Sequence, residues 1–210
     1  MAGSGTEYSL SGGAAQATVL GNAFFVGSVL MGFEMLGSRY LFPYFGGGIG
    51  TWAGLISTVL AALTIGYFIG GAIVDRHPSP RVIAVSSAVA AAYLALVPVS
   101  ADPVMEIILN RIGDGPAGIL IASSILLLLP LSFLGTFSPV AVRLLLRSTA
   151  ETGRIAGLVY GISTIGNIFG TLFTTFWLIP TLGSRNITYI YAGVLALSAL
   201  SMFILGRARR

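Results

Sequence analysis

Apolar positions along this chain come in long blocks rather than in alternation. Six blocks stand out, at about 18–42, 51–74, 81–100, 116–146, 153–181 and 186–206. Each reaches or exceeds the roughly 20 residues that an α-helix needs to cross a hydrocarbon core of about 30 Å. The strands of a membrane barrel would alternate apolar and polar residues, and these blocks do not. The pattern predicts an all-α integral membrane protein with six transmembrane helices in one bundle (17–206). Its connections are short, and no second domain is expected. The stretch 101–115 has apolar residues at 104, 107, 108 and 112, a helical spacing. It reads either as a short helix on the membrane surface or as a solvated connector. Residues 1–16 are rich in Gly, Ala and Ser and lack a basic start, so they read as a disordered tail rather than a signal peptide.

Charge adds an orientation. Only 9% of the residues are charged, whereas soluble domains carry roughly a quarter. All 11 basic residues are arginine. Arginines 76, 81, 143, 147, 154, 207, 209 and 210 fall at one end of the spans, and arginines 39, 111 and 185 at the other. By the positive-inside rule both termini, including the basic stretch 207–210, are expected in the cytoplasm. Trp52, Trp177, Tyr44, Tyr189 and Tyr191 then fall near the outer interface, where amphipathic rings sit well. The net charge of +4 is thus a topology signal rather than a mark of nucleic-acid binding. There is no cysteine, and His77 is the single histidine, so neither disulfides nor a thiolate or histidine metal centre is expected.

Polar residues inside the apolar blocks are where function is sought. Glu34 and Arg39 lie in span 1, and a charge at the centre of a membrane helix costs about 2.5–3.5 kcal/mol on insertion scales. Five residues apart, they sit about 140° apart around a straight helix, which is poor geometry for a direct pair. Arg39 lies close enough to the outer end to snorkel to water. Glu34 lies deeper and reads either as a cation or proton site or as a structural acceptor for neighbouring helices. Gly71, Asp75 and Arg76 close span 2, as a latch between helices or as a capped turn. In span 4, Pro130 and Ser138-Pro139, followed by Arg143, predict a kink or a break beside a cavity. Span 5 carries Gly157, Gly161, Gly166 and Gly170, a spacing suited to a close helix seam, with Asn167 on a candidate substrate path. The sequence Thr-Ile-Gly-Tyr-Phe-Ile-Gly-Gly at 64–71 is echoed by Thr-Ile-Gly-Asn-Ile-Phe-Gly-Thr at 164–171. Three helices separate the copies, as in a 3+3 inverted repeat. No P-loop, paired carboxylates, Ser-His-Asp set or S-adenosyl-binding loop is present, so neither catalysis nor a cofactor is expected of these residues.

Several segments together resemble the membrane part of the bacterial fused MFS/spermidine-synthase family. They are Glu34 to Gly46 with Trp52, Gly66 to Arg76, Pro130 to Arg143, and Gly161 to Gly170 leading into Trp177, Pro180 and Gly183. The likeness spans roughly 25–206. It implies an MFS-like half-transporter in the bacterial inner membrane, with polyamines or another small cationic metabolite as candidate cargo. Six helices are half the usual major-facilitator number, so a homodimer is expected. In that family an aminopropyltransferase-like cytoplasmic domain follows the membrane part, and no counterpart of it occurs in residues 1–210. The alternative is therefore a non-catalytic anchor for a separate synthase-like partner. The Gly71 to Arg76 turn is also similar to the loop after the second helix of major-facilitator transporters, from which the prolines that follow depart.

Overall fold

A computed structural model describes residues 12–146 and 148–208. Among these residues every element is helical. Six helices are long and apolar enough to cross a membrane: α1 Gly13–Phe45, α2 Ile49–Arg76, α3 Pro80–Ile112, α4 Pro116–Leu145, α5 Thr149–Thr181 and α6 Ser184–Arg207. This is the architecture of a multi-pass membrane protein. The part of the expected tail at 1–11, together with Arg147, Arg209 and Arg210, lies outside the described residues; α1 already starts at Gly13.

The helix boundaries follow from local chemistry. Gly46 caps α1 at φ 72 and Gly113 ends α3 at φ 95. Both sit in a left-handed backbone that glycine adopts without strain. Ser79 caps α3 by accepting the Arg81 N–H at 3.3 Å. Pro80 follows in the first turn, where its missing N–H is no loss. Five short connections therefore fold the chain back on itself, with both described ends at one face of the bundle.

Span 3 differs from expectation. There is no separate surface helix at 101–115, because α3 runs unbroken through Pro98 and Pro103 to Ile112. Leu94, Val97, Ala101, Met105 and Ile108 are all buried and recur at helical spacing. The stripe stays in phase across both prolines, so packing holds the helix together. At 33 residues, α3 is about 50 Å long and exceeds the hydrocarbon thickness, which requires tilt or emergence at its ends.

Helices α1 and α4 touch along their lengths inside the bundle. α5 lies along α1, α2 lies along α4, and α3 and α6 pack against each other. α1 also touches α6, and α4 touches α3. The buried residues form one continuous core, with Phe33, Leu36, Leu127, Leu131 and Leu144 among its fully enclosed members.

Candidate functional site

Close backbone contact builds the centre of the bundle. A methyl group on Gly166 would lie 3.0 Å from Phe24 Cα, and one on Gly170 only 2.6 Å from Ser28 Cα. Only glycine lets α5 lie so near α1. On the other side a methyl on Gly66 would lie 2.8 Å from Gly135 Cα, and one on Gly70 2.8 Å from Thr136 Cα. Thus Gly66 and Gly70 do for α2 and α4 what Gly166 and Gly170, one hundred residues later, do for α5 and α1. The partners match as well: Phe25-Val-Gly-Ser28 on α1 and Phe133-Leu-Gly-Thr136 on α4. A methyl on Gly27 would meet Asn167 Oδ1 at 2.9 Å, and one on Gly135 would meet Leu63 Cα at 3.4 Å.

Where these two seams meet there is a small cavity of about 30 Å³. Gly27, Tyr67, Gly135, Ser138, Ser163 and Asn167 are among its lining residues. Asn167 Oδ1 is buried and has no hydrogen-bond partner among the described residues. An unpaired buried carbonyl oxygen is unusual, because desolvation without a replacement bond costs about 1–3 kcal/mol.

The helix around Ser138 is interrupted. The Thr136 N–H bonds to Phe133 C=O at 3.2 Å, a tighter turn than α. Pro139 supplies no N–H to the turn before it. Nearer its Pro116 end α4 widens into a π turn over Ser124–Leu128 just ahead of Pro130. Ile125 C=O, the acceptor that Pro130 deprives of a donor in that wide register, receives the Tyr93 hydroxyl instead. Span 4 is therefore locally broken, and one break borders the cavity.

Two of the expected pathway residues, Ser138 and Asn167, come together on this cavity. Glu34 and Arg39 do not join them. Glu34 is buried at 7% exposure, yet makes no hydrogen bond or ion pair among the described residues and does not line the cavity. Arg39 is exposed, and the two form no pair. The helix-packing role expected of Gly71 falls to Gly66 and Gly70, for a methyl on Gly71 would meet nothing within 4 Å. Gly157 and Gly161 likewise face open space, so the seam of span 5 is made by Gly166 and Gly170 alone. Asp75 and Arg76 are exposed, and no ion pair joins them to another helix among the described residues. Pro139 and Arg143 are half-buried on α4, and Arg143 has no ion-pair partner among those residues.

Sequence reasoning missed several contacts. Asn22 joins α1 to α6, its Nδ2 donating to Ser201 Oγ at 3.0 Å and its Oδ1 accepting from Ser198 Oγ. Thr174 on α5 bonds to the Tyr191 hydroxyl on α6, beside Gly32. Near the far end Tyr40 and Thr188 share a hydrogen bond at 2.9 Å, and Arg185 pairs with Asp102. The paired sequences at 25–28 and 133–136 were the available signal for the cavity; the other contacts depend on helix rotation, which spacing alone does not fix.

Compared with known proteins, the chain matches no family model, no curated protein and no solved structure.

Proposed function

We propose that this protein is half of a small-solute transporter, built on a 3+3 inverted repeat in which α1–α3 correspond to α4–α6. The observation that carries this reading is the polar cavity at the crossing of the two like seams, with Asn167 Oδ1 unpaired inside it. Inverted repeats place substrate sites where the repeats meet, beside interrupted helices, and Ser138 lies beside such an interruption. The cavity exceeds the about 10–15 Å³ that one water needs, so in this conformation it suits water or one small polar group. Its unpaired group, Asn167 Oδ1, is an acceptor, which suits the N–H donors of an amine or ammonium group. Polyamines, suggested by the family resemblance, are the first cargo to test. Both termini face the cytoplasm in this proposal, because the arginines cluster at that end.

A second copy completes the transporter. Helices α2 and α5 are the least buried of the six. Ala53, Ser57, Ala61 and Thr64 on α2, and Gly153, Gly157, Gly161 and Thr164 on α5, are all exposed. Small residues repeated on one face favour helix association in lipid. These stripes lie next around the helix from Tyr67 and Asn167, so a copy docked on them would roof the cavity. An anchor for an aminopropyltransferase-like partner is less well supported, since it has no use for an unpaired buried amide oxygen.

The test is uptake of labelled spermidine into proteoliposomes. Asn167→Ala and Ser138→Ala are expected to cut uptake at least tenfold, while Ser100→Ala, which bonds only to its own helix, leaves it unchanged. Equal uptake by all three would remove the cavity from the mechanism. Glu34→Gln is expected to spare uptake, because Glu34 does not line the cavity.

A further inference from the structure

A larger groove, about 390 Å³, runs between α2, α3 and α4 at the end of the bundle that carries the termini. Ile69 and Ile73 of α2, Val82 and Val85 of α3 and Phe133 of α4 supply its walls. Ser86, Ser132 and Thr136 also face it, yet none has a hydroxyl hydrogen to offer. Ser86 Oγ donates to Ile83 C=O at 3.1 Å, Ser132 Oγ to Leu128 C=O at 2.6 Å and Thr136 Oγ1 to Phe133 C=O at 2.7 Å. A polar solute would gain little there in return for its lost hydration. The groove therefore selects an apolar occupant.

Its mouth is different. Arg81 lines the groove, half-buried, with its aliphatic stem against α6, where a methyl on Gly206 would meet Arg81 Cγ at 3.3 Å. It makes no ion pair among the described residues, and neither does nearby Asp75. Arg76 and Arg207 are exposed at the same end of the bundle, where α2 and α6 finish. The apolar channel thus opens onto a mouth with an excess of positive charge. A guanidinium binds phosphate oxygens through a planar fork of donors, and basic residues at this depth favour anionic headgroups.

We propose that this groove is a binding site for an anionic phospholipid. One acyl chain would lie along Ile69, Ile73 and Val85, and the headgroup phosphate would sit on Arg81. The stretch of α3 from Arg81 to Ser86 lines the groove. At the rise of an α-helix it covers roughly 7–8 Å along the axis. The groove therefore holds the headgroup-proximal part of the chain and leaves the rest in the bilayer.

The experiment is native mass spectrometry of the purified full chain, titrated with phosphatidylglycerol or phosphatidylcholine carrying identical acyl chains. The wild type is expected to bind phosphatidylglycerol at least tenfold more tightly. Arg81→Gln is expected to bring the two lipids to within about twofold of each other, and Arg81→Lys to retain most of the preference. Val85→Trp, which fills the groove from an exposed position (61%), is expected to abolish binding of both lipids without changing the helical circular dichroism signal. Equal binding of the two lipids by the wild type would overturn the proposal. So would an unchanged preference in Arg81→Gln, or tight binding that survives Val85→Trp in a folded protein.

Discussion

Two adjacent glycines on α2 should respond oppositely to one added methyl group. At Gly70 a Cβ would lie 2.8 Å from Thr136 Cα, 2.9 Å from Thr136 O and 3.0 Å from Thr136 Cβ. Two of these three atoms are backbone, so no side-chain rotation relieves the clash, and α2 and α4 must part by about 1 Å to restore contacts near the ~3.5–4.0 Å optimum. Overpacking of this kind costs about 1–3 kcal/mol. Alanine returns about 0.8–1 kcal/mol through helix propensity. Gly70→Ala is therefore expected to destabilise the protein by up to about 2 kcal/mol. At Gly71 nothing lies within 4 Å. Gly71→Ala thus keeps only the propensity gain and should be neutral or stabilising by up to about 1 kcal/mol. Reversible unfolding of the detergent-solubilised protein, followed by circular dichroism, measures both. Gly170→Ala should behave like Gly70→Ala, because its methyl meets the Ser28 backbone in the same way. A Gly71→Ala loss equal to that of Gly70→Ala would refute the packing argument.

Further outcomes follow from polar contacts between helices. Tyr93→Phe leaves Ile125 C=O without its donor at the π turn, and should cost about 1 kcal/mol in the same unfolding assay. Ser100→Ala, which breaks a bond within one exposed turn, should cost less than half of that. Asn22→Ala removes the acceptor of the Ser198 hydroxyl and the donor to Ser201 Oγ, whose own hydroxyl keeps its bond to Ser198 C=O. Interhelical hydrogen bonds in membranes are worth on the order of 1 kcal/mol, which is the loss expected there. The Arg185–Asp102 pair joins α3 to α6 but is well exposed, at 63% and 45% of the two side chains. A double-mutant cycle at that pair should give a coupling below about 1 kcal/mol that fades with added salt.

Much of the fold was legible because lipid imposes a simple rule: long apolar blocks become helices, and all six appear. The legible part ended where one pattern allowed two structures. The stretch 101–115 read as a connector or a separate surface helix after span 3, but the buried stripe from Leu94 to Ile108 carries α3 through it. The site was half legible. Asn167 and Ser138 stood out as polar residues among small or kinking neighbours, and both line the cavity. Glu34 stood out more strongly, because its charge makes it conspicuous in an apolar helix, yet conspicuousness carries no information about rotation. One residue corresponds to about 100° around a helix. That same limit hid the roles of Gly70 and Gly71: neighbours in sequence, they face a helix and open space. The echo of 64–71 at 164–171 was visible, but only three-dimensional packing paired it with 25–28 and 133–136.

The central claim is that the cavity between α1, α2, α4 and α5 lies on a solute path reached in turn from each side of the membrane. The chain has no cysteine, so single cysteines introduced as Ser138→Cys and Asn167→Cys report on one place each. Labelling rates with a membrane-impermeant thiol reagent, applied separately to the two faces of oriented vesicles, test the claim directly. Both positions should react from both faces, well above Phe68→Cys, whose native side chain is 76% exposed on the outer surface of the bundle. Failure of both positions to react from either face, at rates no higher than Phe68→Cys, would contradict the account.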